Sequence, residues 1–158
     1  MTWLPVEAAG DAPLERVLGL RPGLRDEYRA FLSTVWTRSG LDPVVLELCR
    51  LRVAQLLGCD GELAERTTSA RDAGLDEAKI AILPRWPTSP VFTVTERACL
   101  TYAEQFVLDP HGVDDAQAAD LRTRLTPAGL VALTEALALF EGFGRLRLLL
   151  GVDAGVPR

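Results

Sequence analysis

The stretch LGCDGELAER, Leu57 to Arg66, leaves a cysteine between a glycine and an acidic run. Gly58 reads as a helix stop and Asp60 as the cap of the next helix, which puts Cys59 in the turn beside a helix N-terminus. Unpaired backbone N–H groups there lower a thiol's pKa and favour the nucleophilic thiolate. The neighbours act the other way: Asp60, Glu62 and Glu65 bring negative charge within about one turn, so the local sequence predicts a near-normal or raised pKa. Arg50, Arg52 and Arg66 offset this only if the fold brings them close. Upstream, Glu47 sits in LDPVVLELCRLRVAQLLG. A carboxylate on so apolar a helix is a candidate buried acid with a raised pKa, suited to general acid–base work, alone or with Glu62, in a small apolar pocket. The structural alternative pairs such carboxylates with Arg50, Arg52, Arg97 or Arg145 as ion pairs.

Other residues offer less. Glu96 and Glu104 share roughly one face of the segment TERACLTYAEQFVLD, and Glu141 stands between Phe140 and Phe143 in an apolar stripe. His111, the only histidine, has Asp109, Asp114 and Asp115 around it, but a Pro-His-Gly turn reads as a solvated loop and no metal site is expected. The aromatics Trp36, Trp86, Phe92, Tyr102, Phe106, Phe140 and Phe143 read as core or interface residues. There is no glycine-rich phosphate loop and no Gly-x-Ser-x-Gly elbow, and no cofactor is expected.

The elements that must position these residues read as helices. RPGLRDEYRAFLSTVWTRSG has helical apolar spacing at Leu24, Tyr28, Phe31, Leu32 and Val35. The Glu47 helix has Asp42 as cap, Pro43 in its first turn and Gly58 as its end, with a stripe wide enough to be largely buried. A helix from Asp60 to Gly74 follows, then DEAKIAIL before Pro84. PRWPTSPVF carries three prolines in nine residues and reads as a linker, 84–94, between two helical halves of a single domain spanning 1–158. Thr95 is expected to cap the next helix, Pro110-His111-Gly112 turns the chain, DDAQAADLRTRL is helical, and Thr126-Pro127 opens a long final helix. VFTVT is the one strand candidate. The expectation is all-α, six to eight helices around one core.

Composition narrows the partners. With 158 residues, 48% hydrophobic and 25% charged, the chain is long enough for a proper core. A net charge of −5 argues against nucleic acid or an anionic membrane surface. MTWLPVEAAGDAPLERV lacks the basic-then-apolar order of a signal peptide, and LVALTEALALFEGFGRLRLLLG holds too many charges, Glu135, Glu141, Arg145 and Arg147, for a membrane span. Three cysteines without an export signal point to the cytoplasm. Arginine bias, with Lys79 the only lysine and no asparagine, suggests a high-GC bacterial gene.

The run ELCRLRVAQLLGCDGELAER resembles the core motif of the carboxymuconolactone decarboxylase superfamily, in particular its alkylhydroperoxidase D-like (AhpD-like) branch, which carries a Glu and then C-x-x-C-x-x-x-H. FTVTERACLTYAEQFV and TPAGLVALTEALALFEGFGRLRLLLGV resemble its later helices, so the likeness covers roughly Leu41 to Val152. It implies an AhpD-like helical bundle. In redox-active members the Glu relays protons, the two cysteines act as a dithiol and the His assists. Carried over by position, Glu47 falls on the glutamate and Cys59 on the first cysteine, while Glu62 stands at the second cysteine and Arg66 at the histidine. A resolving thiol must come within about 7 Å between Cα atoms. Cys49, at ~1.5 Å per helical residue, lies roughly 12–15 Å away, and nothing in the sequence places Cys99 near.

Three functions follow from the resemblance. The first in rank is a member without dithiol peroxidase activity, a small-ligand-binding or non-catalytic homo-oligomer. The second is a single-cysteine peroxidase-type oxidoreductase using Cys59 with Glu47 as proton relay. The third is a decarboxylase-like enzyme in which Arg50, Arg52 or Arg66 holds a substrate carboxylate while a glutamate moves a proton. Family members are commonly dimers, trimers or hexamers, and the Leu-rich final helix carries more apolar surface than one small bundle covers, so a homo-oligomer is expected.

Overall fold

The computed structural model describes Leu4 and residues 12–153; the N-terminal stretch on which the signal-peptide reading rests lies mostly outside them. The centre of the molecule is the Glu47 helix, α3 (Pro43–Leu57), the third of the α-helices after α1 (Pro13–Gly19) and α2 (Pro22–Arg38). Asp42 accepts a hydrogen bond from the Val44 amide, Pro43 occupies the first turn, and Gly58 closes the helix at φ 66° in the left-handed region. Only a glycine takes that conformation without strain. Nine residues of α3 are buried, including Leu46, Leu48, Leu51 and Val53, as an almost uniformly apolar sequence requires.

Two long helices sandwich α3: α7 (Val94–Leu108) and α9 (Pro127–Leu149). The cap of α7 is Thr93, not Thr95. Thr93 and Glu96 form a reciprocal capping box, so the VFTVT segment enters a helix, and no strand occurs among the described residues. Thr126 caps α9 through the Gly129 amide, with Pro127 in its first turn. At Gly144 a Cβ would meet Leu57 Cδ1 at 2.7 Å, so the missing side chain sets how closely α9 approaches α3. Length and apolarity alone would let α9 cross a membrane. Here it buries Leu133, Ala136, Leu137 and Phe140 against the core and carries the buried Arg147.

The stretch 60–74 is not one helix. It divides into α4 (Asp60–Ala64) and α5 (Thr68–Asp72), with extended backbone at Glu65 and Thr67. The cause lies in α3, whose Arg50 takes the carbonyls of Glu62 and Glu65 and whose Glu47 takes the amide of Thr67. Backbone groups bound to buried side chains leave the i→i−4 ladder. α6 (Glu77–Ile82) and a 3-10 turn (Leu83–Arg85) lead into the proline-rich segment. Trp86 and Phe92 of that segment are buried in the common core, and Arg97 binds its carbonyls at Trp86, Pro87, Ser89 and Phe92. α8 (Asp115–Arg124) closes the far side. α2 is the most lightly packed long helix, with only Val35 buried; it rests on α9 through Tyr28 stacked on Phe143 and Trp36 against Phe140.

Candidate functional site

Glu47 and Arg50 lie three residues apart on α3 and meet in a fork. Nε donates to Glu47 Oε2 at 2.8 Å and Nη2 to Oε1 at 2.9 Å. Arg50 Nη1 also binds Glu62 O at 2.8 Å and Glu62 Oε2 at 2.9 Å, and Nη2 binds Glu65 O at 2.9 Å. Those contacts use every N–H of the guanidinium. Glu47 is 1% exposed and Arg50 5%, so the pair is a dry one. Such a pair adds little over a well-packed apolar pair of the same volume, but losing one partner costs about 3–5 kcal/mol because the other is stranded. The Glu47 expected as an acid–base group is thus the anchor that holds α4 and α5 onto α3, and Arg50 has no N–H left for a substrate carboxylate.

Cys59 sits at the N-cap position of α4, but the cap is neither Cys59 nor Asp60. Asp153, returning from beyond the end of α9, accepts from the Asp60 amide at 2.9 Å and the Gly61 amide at 2.5 Å. The thiol of Cys59 points at the same carboxylate, 3.4 Å away, and is fully buried. Burial first, and then the charge of Asp153, pushes the thiol up to about 11; the Glu62 backbone N–H pulls the other way without overcoming them. At neutral pH the group is a thiol. Cys49 and Cys99 are buried in the core, free, and raised by desolvation, Cys99 to about 12. The charges felt by Cys49 come from Cys99 and Glu96, those at Cys59 from Asp153 and Glu62.

One helical turn on, the surroundings change. Glu62, Glu65, Arg66 and Thr67 form one side of a cleft of about 100 Å³, and Tyr28, Trp36, Phe140 and Phe143 form much of the other. Arg147 of α9, 7% exposed, reaches in between. Its Nη2 donates to Glu65 Oε1 at 2.5 Å. Its Nε stands 2.7 Å from Glu62 Oε1, an ion pair, but without hydrogen-bond alignment. The Tyr28 hydroxyl is held neutral by burial, with the charge of Glu62 adding to the shift. Cys59 is not a wall of this cleft.

The remaining sequence candidates lie elsewhere. Arg66 lines the cleft but pairs outward with Glu77 at 2.9 Å. Arg52 faces α7, donating to Glu104 at 2.6 Å, and Glu104 also accepts from Trp86 Nε1 at 2.7 Å. Glu96 holds Lys79 and its own capping box. Glu141 binds Arg145 one turn along α9. His111 is exposed in a 3-10 turn, and among the described residues no three His, Cys, Asp or Glu side chains converge for a metal ion. Sequence reasoning missed three residues: Tyr28, Arg147 and Asp153. Arg147 had a signal, since a charge inside a leucine run on a core helix needs a buried partner. Asp153 had none, because its role depends on contact with residues 92 to 94 positions away in the sequence.

The chain is similar to known proteins in sequence and in fold. The Carboxymuconolactone decarboxylase family profile matches residues 22–105. The uncharacterized protein YnjA of Escherichia coli is 40% identical over 110 residues, 65% of this chain and 54% of YnjA. The uncharacterized protein Rv2313c of Mycobacterium tuberculosis is 32% identical over 127 residues, 80% of this chain and 44% of the relative. The chain therefore spans about half the length of these curated relatives. Among solved structures, a protein of unknown function from Agrobacterium tumefaciens, a candidate AhpD antioxidant defence protein, superposes with a TM-score of 0.77 at 24% identity, covering 90% of this chain and 96% of that one. The debrominase Bmp8, with 2,3,4-tribromopyrrole bound, superposes at 0.74 with 14% identity, covering 87% and 74%. At these identities the two structures establish a shared AhpD-like fold.

Proposed function

The chain belongs to the carboxymuconolactone decarboxylase family, and from that premise we propose a cytoplasmic, small-molecule-binding member without dithiol peroxidase activity. By position in the family motif, Glu62 and Arg66 replace the second cysteine and the histidine. The observation that carries the reading is the separation of thiol from cleft: Glu62 and Arg66 are cleft walls, whereas Cys59 is buried outside the cleft with its thiol on the Asp153 carboxylate. A peroxidatic cysteine must be a thiolate, must be reached by peroxide, and needs a resolving partner. Cys59 is a buried thiol with a pKa near 11. That Bmp8 holds a single-ring compound supports a ligand of that size in this fold.

The test is peptide-resolved mass spectrometry after peroxide, with alkylation followed against pH. Cys59 is expected to stay a thiol, and its alkylation to rise toward pH 11 rather than level off near neutrality. A thiol pKa below about 7, or rapid sulfenic acid formation, would restore the single-cysteine peroxidase.

We also propose a homo-oligomer. An apolar groove lined by Leu56, Leu57, Val107 and Leu148 runs beside the exposed Leu108 and Leu149, and a patch of this kind on a small domain favours self-association. Light scattering at micromolar concentration should give a multiple of 17.2 kDa; the monomer mass contradicts it.

A further inference from the structure

α9 has two faces. Its buried residues, from Leu133 to Arg147, face the core. The exposed residues between its Val131 and Leu149 are Val131, Glu135, Ala138, Gly142, Arg145 and Leu149. They recur at intervals of four, three, four, three and four residues. At ~100° per residue they therefore keep to one line along the far side of the helix. This is the spacing of a coiled-coil seam. The middle of the line is open, since a Cβ added at Gly142 meets nothing within 4 Å. Val131 is 58% exposed and Leu149 73%, which leaves a branched apolar side chain in water at each end.

The chemistry along the line is a palindrome. From either end it reads apolar, charged, small, small, charged, apolar, and the two charges are opposite. Val131 and Leu149 lie equally far from Phe140, as do Glu135 and Arg145, and Ala138 and Gly142. Resting on the reading of the chain as a homo-oligomer, we infer that α9 pairs antiparallel with α9 of a second copy, about a two-fold axis at the level of Phe140. That register sets Val131 on Leu149, Glu135 on Arg145 and Ala138 on Gly142. A two-fold contact needs a surface complementary to itself, and this surface is. Charge fixes the direction: a parallel pair sets Glu135 against Glu135 and Arg145 against Arg145, whereas the antiparallel pair makes two opposite-charge contacts. Glu135 has no ion pair among the described residues, and the Arg145 side chain is half exposed beyond its bond to Glu141. Small residues at the centre let the two helices approach closely, which brings the outer pairs into contact. The groove of Leu56, Leu57 and Val107 has Arg145, Leu148 and Leu149 in its wall, so it continues this line, and the second copy covers both. Two charges within the line disfavour a lipid surface as its cover.

Two measurements on the full chain test the register. Ala138→Cys chains mixed with Gly142→Cys chains and oxidised should form the mixed disulfide at least about tenfold faster than either variant forms its own, because unlike positions face each other. Cys49, Cys59 and Cys99 are buried and do not compete. Sedimentation equilibrium at low ionic strength then follows the charges. Glu135→Arg should weaken self-association about tenfold, since the two-fold axis places the change at two contacts. The double swap Glu135→Arg/Arg145→Glu should return it to within about threefold of the parent. Both sites are on the surface, so the variants keep the fold. A 138–138 disulfide forming as fast as the mixed one, or a double swap as weak as the single, overturns the register. So does a species of three chains alone, which a two-fold contact cannot build. In those cases the chain is still an oligomer, through another face. A parent chain that stays monomeric at micromolar concentration overturns the register and the oligomer reading together; if that monomer pellets with phosphatidylcholine vesicles, the line belongs to lipid.

Discussion

The start of α4 and the stretch three to six residues on are chemically opposite. At the start Cys59 is buried with its thiol on the Asp153 carboxylate; further on Glu62 and Glu65 are tied to Arg50 and Arg147 and line a cleft. In an AhpD-like motif both ends serve one dithiol reaction. Here Glu62 and Glu65 line the cleft and Cys59 does not. The lesson is that a cysteine at a family position can stand in surroundings that disfavour its thiolate. Thiol chemistry depends on solvent access and on positive potential; burial withholds the first at Cys59, and the Asp153 carboxylate opposes the second.

The same element serves both ends, and breaking it should give the largest effect. Arg50 ties α4 and α5 to α3, through Glu62 and Glu65 on one side and Glu47 on the other. Arg50→Met leaves Glu47 buried without a counter-charge and two carbonyls without a donor. Urea unfolding should report a loss of about 3–5 kcal/mol. The double variant Glu47→Leu/Arg50→Met removes both charges and should recover much of that loss. If the single and double variants are equally unstable, the damage comes from packing or from lost backbone bonds, and the ion pair is not the organising contact.

How far the residues announced this differs between fold and site. The long helices follow from local chemistry: Asp42-Pro43 and Gly58 bound α3, Thr126-Pro127 starts α9, and both appear where those signals stand. The errors came where side chains reach across the fold. Nothing local says that Arg50 will take two carbonyls twelve and fifteen residues on and split the segment 60–74. The cap of α7 was expected at Thr95; Glu96, three residues after Thr93, is the local cue to the right one that this expectation passed over. For the site, the acidic surroundings of Cys59 gave the right direction for its pKa, but for a lesser reason. Burial is the largest cause, with Asp153 the principal charge, and Asp153 lies 94 residues away.

The comparison sharpens at Asp153. Asp153→Asn keeps the size of the side chain and removes the charge 3.4 Å from Cys59 Sγ. It also weakens the hold on the Asp60 and Gly61 amides, which then become available to an anion at the start of α4. Both changes favour the thiolate, so the Cys59 pKa should fall from about 11. A one-unit fall makes alkylation at a fixed pH below the pKa about tenfold faster. The cost to stability should be modest, about 1 kcal/mol, since a charged cap is being weakened and no core contact is lost. Cys49 and Cys99 serve as internal controls, because both are buried and Asp153 is not among the charges acting on either, so they report only global loosening. A rise confined to Cys59 means that Asp153 alone separates the silent thiol from a reactive one. A parallel rise at all three cysteines, or none at Cys59, means that the contrast between the two ends of α4 rests on burial, with the carboxylate incidental.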